Sequence, residues 1–186
     1  MRPTVRARSR RLRDADAKAV IVTERLSLRL LTPDDAPFVL RLVNEPSWLE
    51  FIGDKGVRSL EDARTYLANG PIAMYARAGF GLYMTELKEG GVPIGMCGLI
   101  KRDSLPDVDI GFAFFPEHWG KGYAFEAASA VLKRANNVLS MRRVVAIASP
   151  GNRRSIDLLG RLGMAFEAEL DLAGDGEKTL LFARNF

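Results

Sequence analysis

The chain predicts an α+β domain with a single mixed, mostly antiparallel sheet flanked by helices. Three observations carry this. Apolar alternation across tight turns recurs at Phe80–Lys101 and Phe166–Phe186, which is hairpin patterning. Between these lies a strand-like run stopped by Pro116, then a turn with two glycines, then a helix-period pattern. Two helical patterns precede the first hairpin, and one lies on each side of the run Arg142–Ser149. Strands and helices are therefore neither segregated nor strictly alternating.

Residues 1–19 hold Arg2, Arg6, Arg8, Arg10, Arg11, Arg13 and Lys18 against Asp14 and Asp16, with no apolar period. They read as a mobile basic extension to a domain at 20–186. Val20–Leu31 alternates at Leu26, Leu28 and Leu30 and reads as one strand. Thr32 caps a helix with Pro33 at its first position and Asp34 and Asp35 in its first turn. Glu45–Gly56 reads as irregular; its Trp48, Phe51 and Ile52 either pack on that helix or line an acceptor pocket. Ser59 opens a second helix running to Asn69.

Phe80–Leu87 and Val92–Lys101 are strands around the turn Lys88–Gly91, and Val108–Phe115 is a third. Apolar residues at Ala124, Ala127, Ala128, Val131, Leu132 and Ala135 form one helix face. Arg142–Ser149 is a strand, and Asn152–Leu162 a helix closed by Gly163. Phe166–Leu172 and Lys178–Phe186 pair around Gly174–Gly176.

Composition narrows the chemistry. At 186 residues with 47% hydrophobic content, the chain forms one domain with a real core, and no apolar run is long enough for a bilayer. One cysteine, Cys97, excludes an internal disulfide and fits a reducing, cytoplasmic setting. One histidine, His118, leaves little room for a His-based metal site or a Ser–His–Asp triad, so no metal is expected. The formal charge of +4 misleads: seven basic and two acidic residues put +5 on the extension, while twenty basic and twenty-one acidic residues leave −1 on the body. A nucleic-acid partner is not indicated except through that extension.

The turn Trp119-Gly120-Lys121-Gly122-Tyr123-Ala124 joins a strand to a helix start. Free main-chain N–H groups at the positive end of a helix suit a phosphate or pyrophosphate, and Lys121 adds charge. Phe125 stands where the dinucleotide fingerprint needs its third glycine, and no P-loop string occurs. The turn is a phosphate cradle of another kind. It resembles the acyl-CoA pyrophosphate loop of the GNAT superfamily of N-acetyltransferases, Arg/Gln-x-x-Gly-x-Gly/Ala. It is most similar to the branch with ribosomal-protein N-terminal acetyltransferases, matching at Trp119–Ala124, Glu126 and Ala127. Phe125 replaces the usual Thr or Ser. A second motif, Asn152-x-x-Ser155 through Gly163, is similar to the family's closing motif, with Met164 in place of Phe. Ile94–Ile100 and Asp109–Phe112 extend the likeness, which covers about residues 22–186.

The resemblance implies the acyl-CoA N-acyltransferase fold, with acetyl-CoA as co-substrate. The pantetheine arm is expected along Phe112, Phe114 and Phe115, the diphosphate at Trp119–Ala124, and the sulfur near Asn152 and Ser155. It further implies direct attack of an amine in a ternary complex. Asp109 is the expected base, acting through water. Ser155 is the expected proton donor, since Leu159 occupies the place of the tyrosine that many relatives use. Glu117 and His118 flank the loop near the acceptor, and Cys97 reads as a core thiol. The expected partner is the acceptor, a protein N-terminal α-amine or a small-molecule amine. No membrane partner is expected, and a homodimer stays open. A non-catalytic acyl-CoA sensor and a ribosome- or RNA-associated module using the arginine-rich extension are the competing readings.

Overall fold

The computed structural model describes residues 19–172 and 174–186. The basic extension, up to residue 18, lies outside the described residues, and Ala19 already begins the first strand. The strands are β1 Ala19–Val22, β2 Leu26–Leu30, β3 Leu82–Leu87, β4 Val92–Ile100, β5 Asp109–Phe114, β6 Arg143–Ala148, β7 Ala165–Leu170 and β8 Thr179–Asn185. They form one sheet in the order β1-β2-β3-β4-β5-β6-β8-β7. Only β5 and β6 run parallel; every other neighbouring pair is antiparallel. The expected α+β mixed sheet is observed.

The helices are α1 Ala36–Val43, α2 Pro46–Phe51, α3 Leu60–Leu67, α4 Ala73–Ala78, α5 Tyr123–Asn137 and α6 Arg153–Arg161. Strand alternation divides the core between the two faces of the sheet. On one face α5 buries Ala127, Ala128, Val131, Leu132 and Ala135 against Leu28, Ile110 and Val144. On the other, α1 and α3 cover Met84, Met96 and Phe115. Cys97 lies in the first of these layers, fully buried, and burial pushes its thiol pKa up, as befits a core residue.

Three expected elements differ. Val20–Leu31 is a hairpin, not one strand. Its turn lacks Gly, Pro or Asn and is held instead by Thr23, whose N–H donates to the Leu26 carbonyl (2.9 Å) while its Oγ1 accepts the Leu26 N–H (3.0 Å). Glu45–Gly56 contains α2, entered through Pro46 at its first position; six residues are too few to display a period. The helix from Ser59, closed by its capping box with Asp62 (3.1 Å), does not stop at Asn69. It widens into a π-turn, Ala68–Ile72, which absorbs Gly70 and Pro71, and then continues as α4.

Candidate active site

The site begins where β5 and β6 part. They share one register pair, Asp109 with Val145, and the Val145 N–H donates to the Val108 carbonyl (3.0 Å). Beyond that apex the strands diverge. The Phe115 N–H bonds back to the Ile94 carbonyl beside β4, so even-numbered β5 residues direct their main chain toward β6. Phe112 thus presents its N–H and C=O to an open wedge. The Phe114 carbonyl, on the same side, is taken by the Trp119 indole N–H (2.8 Å).

After a 3-10 turn at Pro116–His118, Gly120 (φ 72°) and Gly122 (φ 81°) carry the chain through the left-handed region into α5. Only glycine does this without strain. Gly122 is the residue before the first turn and offers no side-chain cap. The first intrahelical bond is Glu126 N–H to the Gly122 carbonyl (3.0 Å), so the N–H groups of Tyr123, Ala124 and Phe125 point outward at the positive helix end. An added Cβ at Gly120 would meet no atom within 4 Å, so that side of the loop is open.

Residues far away in sequence brace this cradle. The Glu126 carboxylate accepts from the Thr23 hydroxyl (2.6 Å), the Arg25 N–H (2.8 Å) and the Arg25 Nε (2.7 Å). Burial would raise the Glu126 pKa, but these donors outweigh it and hold it below the usual glutamate range. Arg25 also donates to the Lys121 carbonyl (2.9 Å) and lies 4.6 Å over the Tyr123 ring. From α6, Arg154 stacks on Trp119 and Arg161 on Phe125, each at 4.7 Å. The sequence holds no local signal for Arg25, because its partner lies 101 residues on.

Wedge and cradle open into one groove of about 1400 Å³. Among the expected residues, Asp109, Phe112, Phe114, Trp119, Gly120 and Gly122 line it, as do Tyr123, Ala124, Asn152 and Ser155. Two do not. Phe115 turns to the opposite layer, edge-on to Phe38 at 5.3 Å and under Arg41, because odd positions of β5 face that side. Lys121 extends into solvent and contributes its carbonyl to Arg25. Glu117 is tied to Arg41 (2.6 Å) and lies off the groove, whereas His118 lines it. Asn152 caps α6, its Oδ1 accepting the Ser155 N–H (3.1 Å), which holds Ser155 in the first turn; Leu159 is buried.

Asp109, at the apex, has only 1% of its surface exposed. Its Oδ2 accepts from Arg102 Nε (2.9 Å), and its Oδ1 is buried without a partner among the described residues. Burial pushes its carboxyl pKa up, and the Arg102 guanidinium opposes this without cancelling it. Arg102 is a second residue that sequence reasoning missed.

A cradle of main-chain amides beside an unpaired strand edge, meeting a buried carboxylate, agrees with the comparisons. A model of the acetyltransferase (GNAT) domain matches residues 25–165. The chain belongs to this family. It is an acetyl-CoA-dependent N-acetyltransferase. It is 30% identical over 154 residues to the Bacillus subtilis protein YkkB, covering 81% of this chain and 88% of that one. An acetyltransferase structure from Agrobacterium tumefaciens superposes with a TM-score of 0.77 at 29% identity, over 89% of this chain and 94% of that one. A shorter match, 35% identical over 92 residues, links 48% of this chain to 45% of the ribosomal protein uS5-alanine N-acetyltransferase of Escherichia coli.

Proposed function

We propose that the chain moves an acetyl group from acetyl-CoA to a primary amine by direct attack in a ternary complex. The acceptor is a protein N-terminal α-amine or a small-molecule amine. The observation that carries this is the free Oδ1 of Asp109 at the apex of the wedge, where an incoming nitrogen and a thioester laid along β5 would meet.

In this reading the Phe112 main chain and the Phe114 N–H hold the pantetheine arm as an added strand, and the amides of Tyr123, Ala124 and Phe125 hold the diphosphate. Asp109, through water, takes a proton from the ammonium. The freed nitrogen pair bonds to the carbonyl carbon, the C–S bond breaks, the nitrogen gives up its second proton to solvent, and the thiolate takes its proton from Ser155, which is refilled from solvent. The raised Asp109 pKa makes it a better base than an ordinary aspartate. An α-amine, near ~8, yields its proton more readily than a lysine near ~10.4. The partial likeness to an enzyme named for a ribosomal-protein alanine supports keeping protein α-amines in view. Among the described residues no helix is long and apolar enough to cross a membrane, and none of their acidic, His or Cys side chains cluster as metal ligands. The buried, free Cys97 suits the cytoplasmic setting proposed for the enzyme.

The test is an acceptor screen that follows thiol release from acetyl-CoA. Turnover with a primary amine supports the reading. Tight CoA binding without release across amines and peptides points instead to an acyl-CoA sensor.

A further inference from the structure

The groove has a second arm, on the far side of Asp109 from the cradle. Its wall is supplied by Trp48 and Phe51 of α2, Lys55 in the loop that follows, Tyr66 of α3 and Arg102 after β4. Phe51 reaches across: a Cβ at Gly151, in the loop before α6, would stand 4.0 Å from its ring. The arm is therefore roofed and partly aromatic.

Its polar groups are mostly donors, and few are satisfied. Arg102 spends Nε on Asp109, while its two outer nitrogens meet no protein acceptor among the described residues; the side chain is 37% exposed. Lys55 makes only a 3.5 Å contact with the Ile52 carbonyl and has no carboxylate partner. Partial burial and then the Arg102 charge push its pKa down. The Trp48 indole N–H is buried, at 5% exposure, with no acceptor. Glu45, at the entrance to α2, lies beside Arg41 at 3.8 Å. The two neighbouring cations repel each other and the buried Trp48 N–H lacks an acceptor; an incoming anion relieves the repulsion and can accept that N–H. The free Oδ1 of Asp109 asks for the opposite, a nitrogen with protons.

We infer that the acceptor amine carries its own anionic group, a carboxylate or a phosphate, bound by Arg102 and Lys55 while the amine reaches Asp109 through water. This rests on the acetyl-transfer reading and narrows it. The span between the two groups is short, because the guanidinium that touches Asp109 at 2.9 Å is the one that offers its outer nitrogens. A free amino acid or a phosphorylated amino sugar has both charges within a few bonds. A protein N-terminus has a neutral peptide group in that place and leaves both cations unanswered.

The experiment compares matched acceptors by thiol release: α-amino acids against their carboxamides, an amino-sugar phosphate against the amino sugar, and short peptides with free N-termini. The anionic member of each pair is expected to lead by at least about tenfold in kcat/KM. Which pair shows the larger ratio distinguishes carboxylate from phosphate. Lys55→Gln, at an exposed position, should raise KM for the anionic member and narrow the ratio several-fold, while calorimetry shows CoA affinity retained. Equal or better turnover of the neutral members or peptides overturns this inference and leaves acetyl transfer standing, as does an unchanged ratio in Lys55→Gln. CoA binding with no thiol release from any acceptor overturns the transfer reading and this inference together.

Discussion

The two arms of the groove meet at Asp109 and are built from different material. The cradle arm is main chain: two glycines in the left-handed region, three outward amides and an unpaired strand edge. The second arm is side chain, drawn from α2, its following loop, α3 and the connection after β4. Main-chain sites have few ways to be made and suit a ligand part that never varies. Side-chain sites change with each substitution and suit the part that does. Within this enzyme, substitutions should therefore separate cofactor grip from acceptor choice.

The hardest blow to the cradle is Gly122→Val. A β-branched residue at φ 81° is strained, and its Cβ would stand 3.3 Å from Arg25 Nη2, on the brace that holds the loop. Calorimetry should show no measurable CoA binding, with the circular dichroism of a folded domain; retained affinity would mean that the loop amides do not grip the diphosphate. Asp109→Asn strikes the junction. Turnover should fall by about a hundredfold with CoA affinity little changed. In the wild type, activity should rise with pH through a value above the ordinary aspartate range, because the base must be ionised and burial raises its pKa. The variant should lose that acid limb, and an identical profile would remove Asp109 from proton transfer.

Glu126→Gln acts a step further out and should cost about 1–2 kcal/mol of stability by weakening three hydrogen bonds. Since folding lowers the Glu126 pKa, its stabilisation is present above the ordinary glutamate pKa and fades as pH falls through the lowered value. Melting curves on the acid side should therefore converge for wild type and variant, and parallel curves would contradict this. The smallest effect belongs to Arg154→Ala, which loses one stacked cation worth about 0.5–1 kcal/mol. CoA affinity should drop only a few-fold, and a larger loss would mean that Arg154 contacts the cofactor itself.

The same division explains what could be read from the sequence. Gly120, Gly122 and the apolar face of α5 are local signals, and the cradle was visible in nine consecutive residues. The hairpin turn at Thr23–Arg25 escaped because a threonine hydroxyl does the work usually marked by glycine or asparagine. The π-turn escaped because Gly70-Pro71 ordinarily ends a helix. Arg25 and Arg102 are arginines among many, and only folding distinguishes the ones that meet Glu126 and Asp109.

The bond from Arg25 to Lys121 has one more consequence. Arg25 sits in the connection between the outermost strand of the sheet and its neighbour, directly after the strand that receives the basic extension. The same connection holds Glu126 through the Thr23 hydroxyl and the Arg25 main-chain N–H, so it is tied both to the glycine turn and to the first turn of α5. A displacement of the β1–β2 connection would therefore reach the glycine end of the groove.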